Sequence, residues 1–127
     1  MRGVRKLLVP LDGSESAHRA LAWASAFAQA TGKASLHLVH VGAGAPTGEE
    51  SALLQRAERE LREKRVPFTS EVLRGPVAAT IAEHAAREGC DGIVMGTRGM
   101  SPIEDLVVGS IAAKVVQLTR LPVTLVK

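Results

Sequence analysis

Residues Val94–Ser110 read VMGTRGMSPIEDLVVGS. An apolar run from Gly92 to Met95 ends in Gly96, Gly99 follows after two residues, and after nine more Gly109-Ser110 opens a second apolar run, Ile111 to Leu118. Strand, glycine loop and helix start follow in that order. Successive backbone N–H groups can hold a polyphosphate only where no Cβ keeps the ligand away and the chain can turn freely, and glycine meets both conditions. A helix beginning at Ser110 adds unpaired N–H groups, the positive end of its dipole and a hydroxyl, and Arg98 adds full charge. A plainer reading stands beside this one. Gly96 and Gly99 form a turn, and Gly109 is a helix glycine costing about 1 kcal/mol relative to alanine.

Upstream, Val4 to Leu11 is a short apolar run bounded by Asp12-Gly13-Ser14, which reads as a buried strand with Pro10 at its end. From Ser14 to Ala30 the period changes. Ala17, Ala20, Leu21, Ala24, Phe27 and Ala28 share one helical face, and Gly32 ends the helix. Ser35 to Val41 returns to strand, with Leu36, Leu38 and His40 on one side and His37, Val39 and Val41 on the other. Thr47-x-x-Glu50 is a capping box before a helix that buries Leu54, Ala57 and Leu61. Val66 to Leu73, with Pro67, reads as an edge strand. Pro76 is preset for the first turn of a helix with inner positions Ala78, Ile81, Ala82 and Ala85, which Gly89 stops. Asp91 to Met95 is the next strand, Ser101 to Glu104 a second capping box, and Pro122 to Lys127 the last strand. Five such alternations predict an α/β fold: one domain over residues 1–127, with an open, parallel, Rossmann-like five-stranded sheet and helices on both faces. Ligands in such sheets sit beyond the carboxyl ends of the strands, where strand order reverses. If the first and fourth strands are neighbours, Asp12–Ser14 and Gly96–Gly99 border one crevice.

Composition narrows the function. The 127 residues, 46% hydrophobic and 23% charged, suffice for one domain with a real core. Basic and acidic residues are interleaved, most densely from Arg56 to Arg65, so the net charge of +3 reads as solvated helix faces rather than a nucleic-acid surface. Trp23, Phe27 and Phe68 are the only aromatics, too few to stack on single strands. Cys90 is the only cysteine, which excludes an internal disulfide and fits a cytoplasmic location; it reads as a small turn or core residue. No apolar segment approaches a membrane span, and the N-terminus shows no cleavage-site pattern. His18 and His84, on helices among Ala and Arg, read as surface residues. His37 and His40 lack a companion Cys or carboxylate at metal spacing, so no protein metal site is expected.

Gly96, Gly99, Gly109 and Ser110 match in full the G-x2-G-x9-G signature followed by Ser or Thr. With Val9-Pro10-Leu11-Asp12-Gly13-Ser14 and the His40-Val41 pair, the chain resembles the universal stress protein family over essentially its whole length. The resemblance implies strand order 3-2-1-4-5 and binding of ATP with Mg²⁺ by a homodimer in a stress response. By the same resemblance Pro10, Leu11 and Asp12 line the nucleotide pocket, with Asp12 near the ribose or base. Val41 meets the adenine, Met95 and Gly96 lie under the nucleotide, and Arg98, Gly99, Gly109, Ser110 and Ile111 surround the phosphates. Position 98 is often histidine in the family, and arginine keeps a donor while making its charge permanent. Bland alternatives remain, in which Asp12-x-x-Glu15 is a helix cap and Val41 ordinary core.

An enzyme, an ATPase or phosphoryl-transfer protein, is the second reading. The chain has no G-x4-G-K loop followed by Ser or Thr, and Lys114 points off its helix turn, so slow hydrolysis is the most it implies. A dimeric scaffold that binds nothing is the third, and it has no need of all four signature residues. The apolar strand Pro122 to Lys127 is expected to pair with its copy in a second chain.

Overall fold

The computed structural model describes residues 3–97 and 108–127. Among the described residues strands and helices alternate: β1 (Lys6–Pro10), α1 (Glu15–Thr31), β2 (Ser35–Gly42), α2 (Gly48–Glu63), β3 (Phe68–Arg74), α3 (Val77–Arg87), β4 (Gly92–Gly96), α4 (Ser110–Leu118) and β5 (Val123–Val126). The sheet runs β3-β2-β1-β4-β5, and every pairing is parallel. This is the order implied by the resemblance. The second capping box, Ser101 to Glu104, lies outside the described residues.

Central strands in such a sheet are covered on both faces, which is why β1 and β4 read as continuous apolar runs. Leu7, Leu8 and Val9 are all buried, and so are Ile93, Val94 and Met95. Alternation along each strand divides the core in two. Leu7, Val9, Leu36, Leu38 and Val94 pack with α1 and α2, while Leu8, Val39, Ile93 and Met95 pack with α3 and α4. Helical periodicity supplies the other half of each layer: Ala17, Ala20, Leu21, Ala24 and Ala28 from α1, and Ala78, Ile81 and Ala85 from α3. The many alanines let the helices lie close to the sheet.

The helix boundaries follow local chemistry. Ser14 caps α1 by accepting from Ala17 N–H, and Gly32 closes it with φ +68° and an N–H bond to the Ala28 carbonyl. Thr47 and Glu50 form the full reciprocal capping box on α2. Two boundaries differ from expectation. Pro76 is the cap of α3 rather than a first-turn residue, with φ −60° and ψ 127°. The β3 ladder starts at Phe68 because Pro67 has no N–H; its carbonyl still accepts from Leu36 N–H at 3.0 Å.

Candidate functional site

Strand order reverses between β1 and β4, and a cleft opens at the carboxyl ends of those two strands. Its lining includes Pro10, Leu11 and Asp12 from the end of β1, Val41 from β2, Met95 and Gly96 from β4, and Ile111 from α4. The resemblance implied all seven at the site, and with them Gly109 and Ser110, which are not in this lining. Ala17 and Ile81 complete the lining. Neither was foreseen, although each falls on the buried face of its helix, one near the start of α1 and the other in α3. Arg98 and Gly99 lie outside the described residues.

Each wall is held by specific bonds. Leu11 N–H donates to the Val39 carbonyl at 2.8 Å, and the Leu11 carbonyl is 2.7 Å from Nδ1 of His40. A carbonyl can only accept, so Nδ1 of His40 carries a proton. The His40 ring is 3.5 Å from Glu50, whose carboxylate takes Arg74 in a two-pronged ion pair at 2.6 and 2.7 Å and Thr47 N–H at 3.0 Å. The Arg74 guanidinium, then the Thr47 amide, hold Glu50 well below the usual carboxylate range, at about 2. A Cβ on Gly42 would fall 1.8 Å from Glu50 Oε2 and 1.9 Å from Arg74, so that glycine lets the pair cross the end of β2. His40 thereby ties the Leu11 wall to a charged anchor, a link that the bare His40-Val41 pair did not reveal.

Asp12 is exposed and accepts from Ser14 N–H at 2.9 Å, an Asx turn that leads into the cap of α1. The cap itself is Ser14, which corrects the alternative that gave Asp12-x-x-Glu15 that role. Gly96 has a reason that the sequence did not supply. A Cβ there would lie 2.3 Å from Ser16 Oγ and 2.7 Å from Ala17 N, so β4 can approach the first turn of α1 only with glycine at its end.

Across the cleft, Gly109 N–H donates to the Thr97 carbonyl at 2.5 Å and pins the start of α4 to the end of β4. Gly109 is the N-cap of α4, with φ −62° and ψ 157° and no side-chain cap bond. It is therefore neither a left-handed glycine nor an interior helix glycine. Its own amide is engaged, which leaves the first-turn amides of Ser110, Ile111 and Ala112 without acceptors inside the helix. Ser110 is exposed, and Lys114 lies on the exposed side of α4.

A larger cavity, of about 240 Å³, lies between α1 and α2 and is lined by Leu21, Leu53, Ala57 and Glu60 together with Leu11, Gly13 and Ser14 from the loop after β1. It shares Leu11 and Ala17 with the cleft and adds His18 and Arg56, but among the described residues none from β4 or α4 lines it.

The histidines require a correction. His18 is exposed as expected, but His84 is buried at 5% exposure, because it follows Ile81 by three positions on the inner face of α3. Its Nε2 is 2.9 Å from Nε2 of His37 and 2.9 Å from Glu71 Oε1. The expectation that His37 lacks a carboxylate companion is likewise overturned. β2 and β3 pair His37 with Thr69 and Val39 with Glu71, which sets the carboxylate on the same face two residues along. Burial, then the His84 ring, push the His37 pKa below its ordinary value, which favours a neutral ring. Cys90 is buried, and burial pushes its thiol pKa up, as suits a core residue.

Comparison with known proteins agrees with this architecture. A universal stress protein from Thermus aquaticus is 39% identical over 136 aligned positions, covering 97% of this chain and 98% of that one. The solved structure of the protein MJ0577 superposes with a TM-score of 0.86 at 25% identity, over 98% of this chain and 96% of that one. The universal stress protein from Archaeoglobus fulgidus, solved in complex with dAMP, shares the fold with a TM-score of 0.78 at 22% identity, over the whole of both chains. The model of the universal stress protein family matches residues 3–127. With that match, and with the strand order and helix placement above, the chain belongs to the universal stress protein family.

Proposed function

We propose that this chain is a nucleotide-dependent regulator of a stress response that binds ATP, with Mg²⁺, in the cleft between β1 and β4. The observation that carries this reading is the bond from Gly109 N–H to the Thr97 carbonyl, which brings the amides of the α4 N-terminus beside that cleft. Val41, Ile81 and Met95 offer apolar surface to an adenine ring, and Asp12 offers acceptors to ribose hydroxyls. The Ser110 hydroxyl, the amides of Ser110 and Ile111, and Arg98 and Gly99 complete the proposed phosphate set. Mg²⁺ enters on the phosphates, and Asp12 is the one carboxylate in the cleft lining among the described residues. The dAMP complex of the Archaeoglobus fulgidus protein supports an adenine nucleotide as the ligand class.

Calorimetric titration of the purified protein with ATP, ADP, AMP and GTP, each with Mg²⁺, tests the reading. Saturable ATP binding that is tighter than GTP binding and weakened by Asp12→Ala is the expected result. No binding of any adenine nucleotide at millimolar concentration overturns it.

A further inference from the structure

We propose that His37, Glu71 and His84 form a binding site for one divalent transition-metal ion of the zinc class, separate from the nucleotide cleft. Three elements that are distant in sequence converge there. β2 supplies His37, the edge strand β3 supplies Glu71, and α3 supplies His84. One ligand atom from each lies within 4.8 Å of the other two, and they are the one such group of three among the described residues.

The protonation pattern suits a metal. Nδ1 of His37 is 2.5 Å from the Thr69 hydroxyl oxygen. With Nδ1–H donating to that oxygen, Nε2 of His37 carries a lone pair directed at His84. Such an outer hydrogen bond is what orients a ligating histidine and fixes its tautomer. In the metal-free protein one proton on Nε2 of His84 bridges the pair, shared between His37 and Glu71. A cation takes the place of that proton once His84 moves its hydrogen to Nδ1. Two ligand nitrogens on tetrahedral zinc stand about 3.3 Å apart, given Zn–N bonds of about 2.0–2.1 Å. The 2.9 Å separation therefore needs to open by only a few tenths of an ångström.

Burial and exposure divide the roles. His37 and His84 are buried at 3% and 5% exposure, whereas the Glu71 side chain is 43% exposed and forms the entrance. One carboxylate offsets half the charge of the ion, and solvent fills the fourth position. Two imidazole nitrogens select zinc, nickel or copper over magnesium and calcium, so the Mg²⁺ that accompanies ATP does not compete. Occupancy ties the edge strand β3 to β2 and α3.

The test uses nucleotide-free protein stripped with chelator and dialysed. Zn²⁺ is titrated by calorimetry, and Co²⁺ is added separately for its ligand-field spectrum. The expected result is one equivalent of Zn²⁺, a tetrahedral Co²⁺ spectrum, and a Kd raised at least about tenfold by Glu71→Gln and by His84→Gln. His18→Ala, which removes the exposed histidine near Glu60, leaves the Kd unchanged. Absence of saturable Zn²⁺ binding overturns the proposal. Binding that survives Glu71→Gln, or that is lost in His18→Ala, overturns it as well. Should His84→Gln fail to fold, the partly exposed Glu71→Gln decides alone. ATP titration of Glu71→Gln in the absence of Zn²⁺ is expected to match the parent, which separates this site from the cleft.

Discussion

Two glycines at the cleft are required for different reasons, and alanine at each gives a different result. At Gly96 the added methyl group meets the backbone of α1, including Ala17 N at 2.7 Å, which cannot yield as a flexible side chain would. Overpacking of this kind costs about 1–3 kcal/mol. Gly96→Ala is expected to lower stability by that amount in urea unfolding; an unchanged midpoint contradicts the packing account. Gly109 stands at the N-cap with φ −62°, so alanine is unstrained there but is a poor cap. Sequence periodicity alone suggests that alanine stabilises a helix at this position; the N-cap geometry reverses that sign, to a loss of roughly 0.5–1 kcal/mol. If the proposed phosphate site is right, a methyl group at Gly109 stands beside the phosphates, and Gly109→Ala is expected to lower ATP affinity about tenfold, or ~1.4 kcal/mol. Thermal melting and ATP titration on one sample decide the matter, and unchanged affinity removes the phosphate assignment.

Among the elements, the joint between the end of β2 and the start of α2 is held by charge. Glu50 completes the α2 capping box and pairs with Arg74 at the end of β3, so one carboxylate fastens two strands and a helix. Its pKa is lowered from an ordinary 4.5 to about 2 in the folded protein. As pH falls, the unfolded chain takes up the proton first. The stabilisation from Glu50 is therefore complete above the ordinary value, declines between about 4.5 and about 2, and is gone below. Glu50→Gln is expected to melt below the parent at neutral pH, with the gap closing as the pH is lowered across that interval. A gap independent of pH refutes the charge argument.

At the scale of the whole molecule, β5 is one of the two edges of the sheet, and its four residues are each only half-buried. Val116 and Leu118 of α4 are among the most exposed large apolar residues, at 47% and 51%. A two-fold pairing of β5 with its copy would cover that edge. Sedimentation at micromolar concentration is expected to show a dimer, and a monomer refutes the edge pairing. Among the described residues the cleft lining holds one carboxylate, Asp12, and no lysine, and Lys114 is exposed on α4. ATP turnover is expected to stay below about 1 s⁻¹, the low end of typical enzymes. A faster rate favours the phosphoryl-transfer reading.

What the sequence determined by itself was local in origin. The period of two in Ser35–Val41, the period of 3.6 in α1 and the punctuation by Gly32, Pro76 and Gly89 depend only on neighbours along the chain, so the α/β alternation was legible in the residues. Strand order came from the family signature, and the parallel pairings agree with it. Tertiary structure decided whatever depends on distant segments meeting. Whether Gly96 serves a turn or a close approach depends on where α1 lies, and no spacing within Gly96–Ser110 contains that information. The tie of the α4 cap to the end of β4 comes from the bond between Gly109 and Thr97, and the anchoring of Leu11 from a histidine 29 residues away. His84 reads as a surface residue among Ala and Arg until α3 is laid on the sheet. Only the parallel register of β2 with β3 brings Glu71 and His37 to one face beneath it. A histidine takes its character from burial and partners, and both are properties of the packed molecule rather than of the chain.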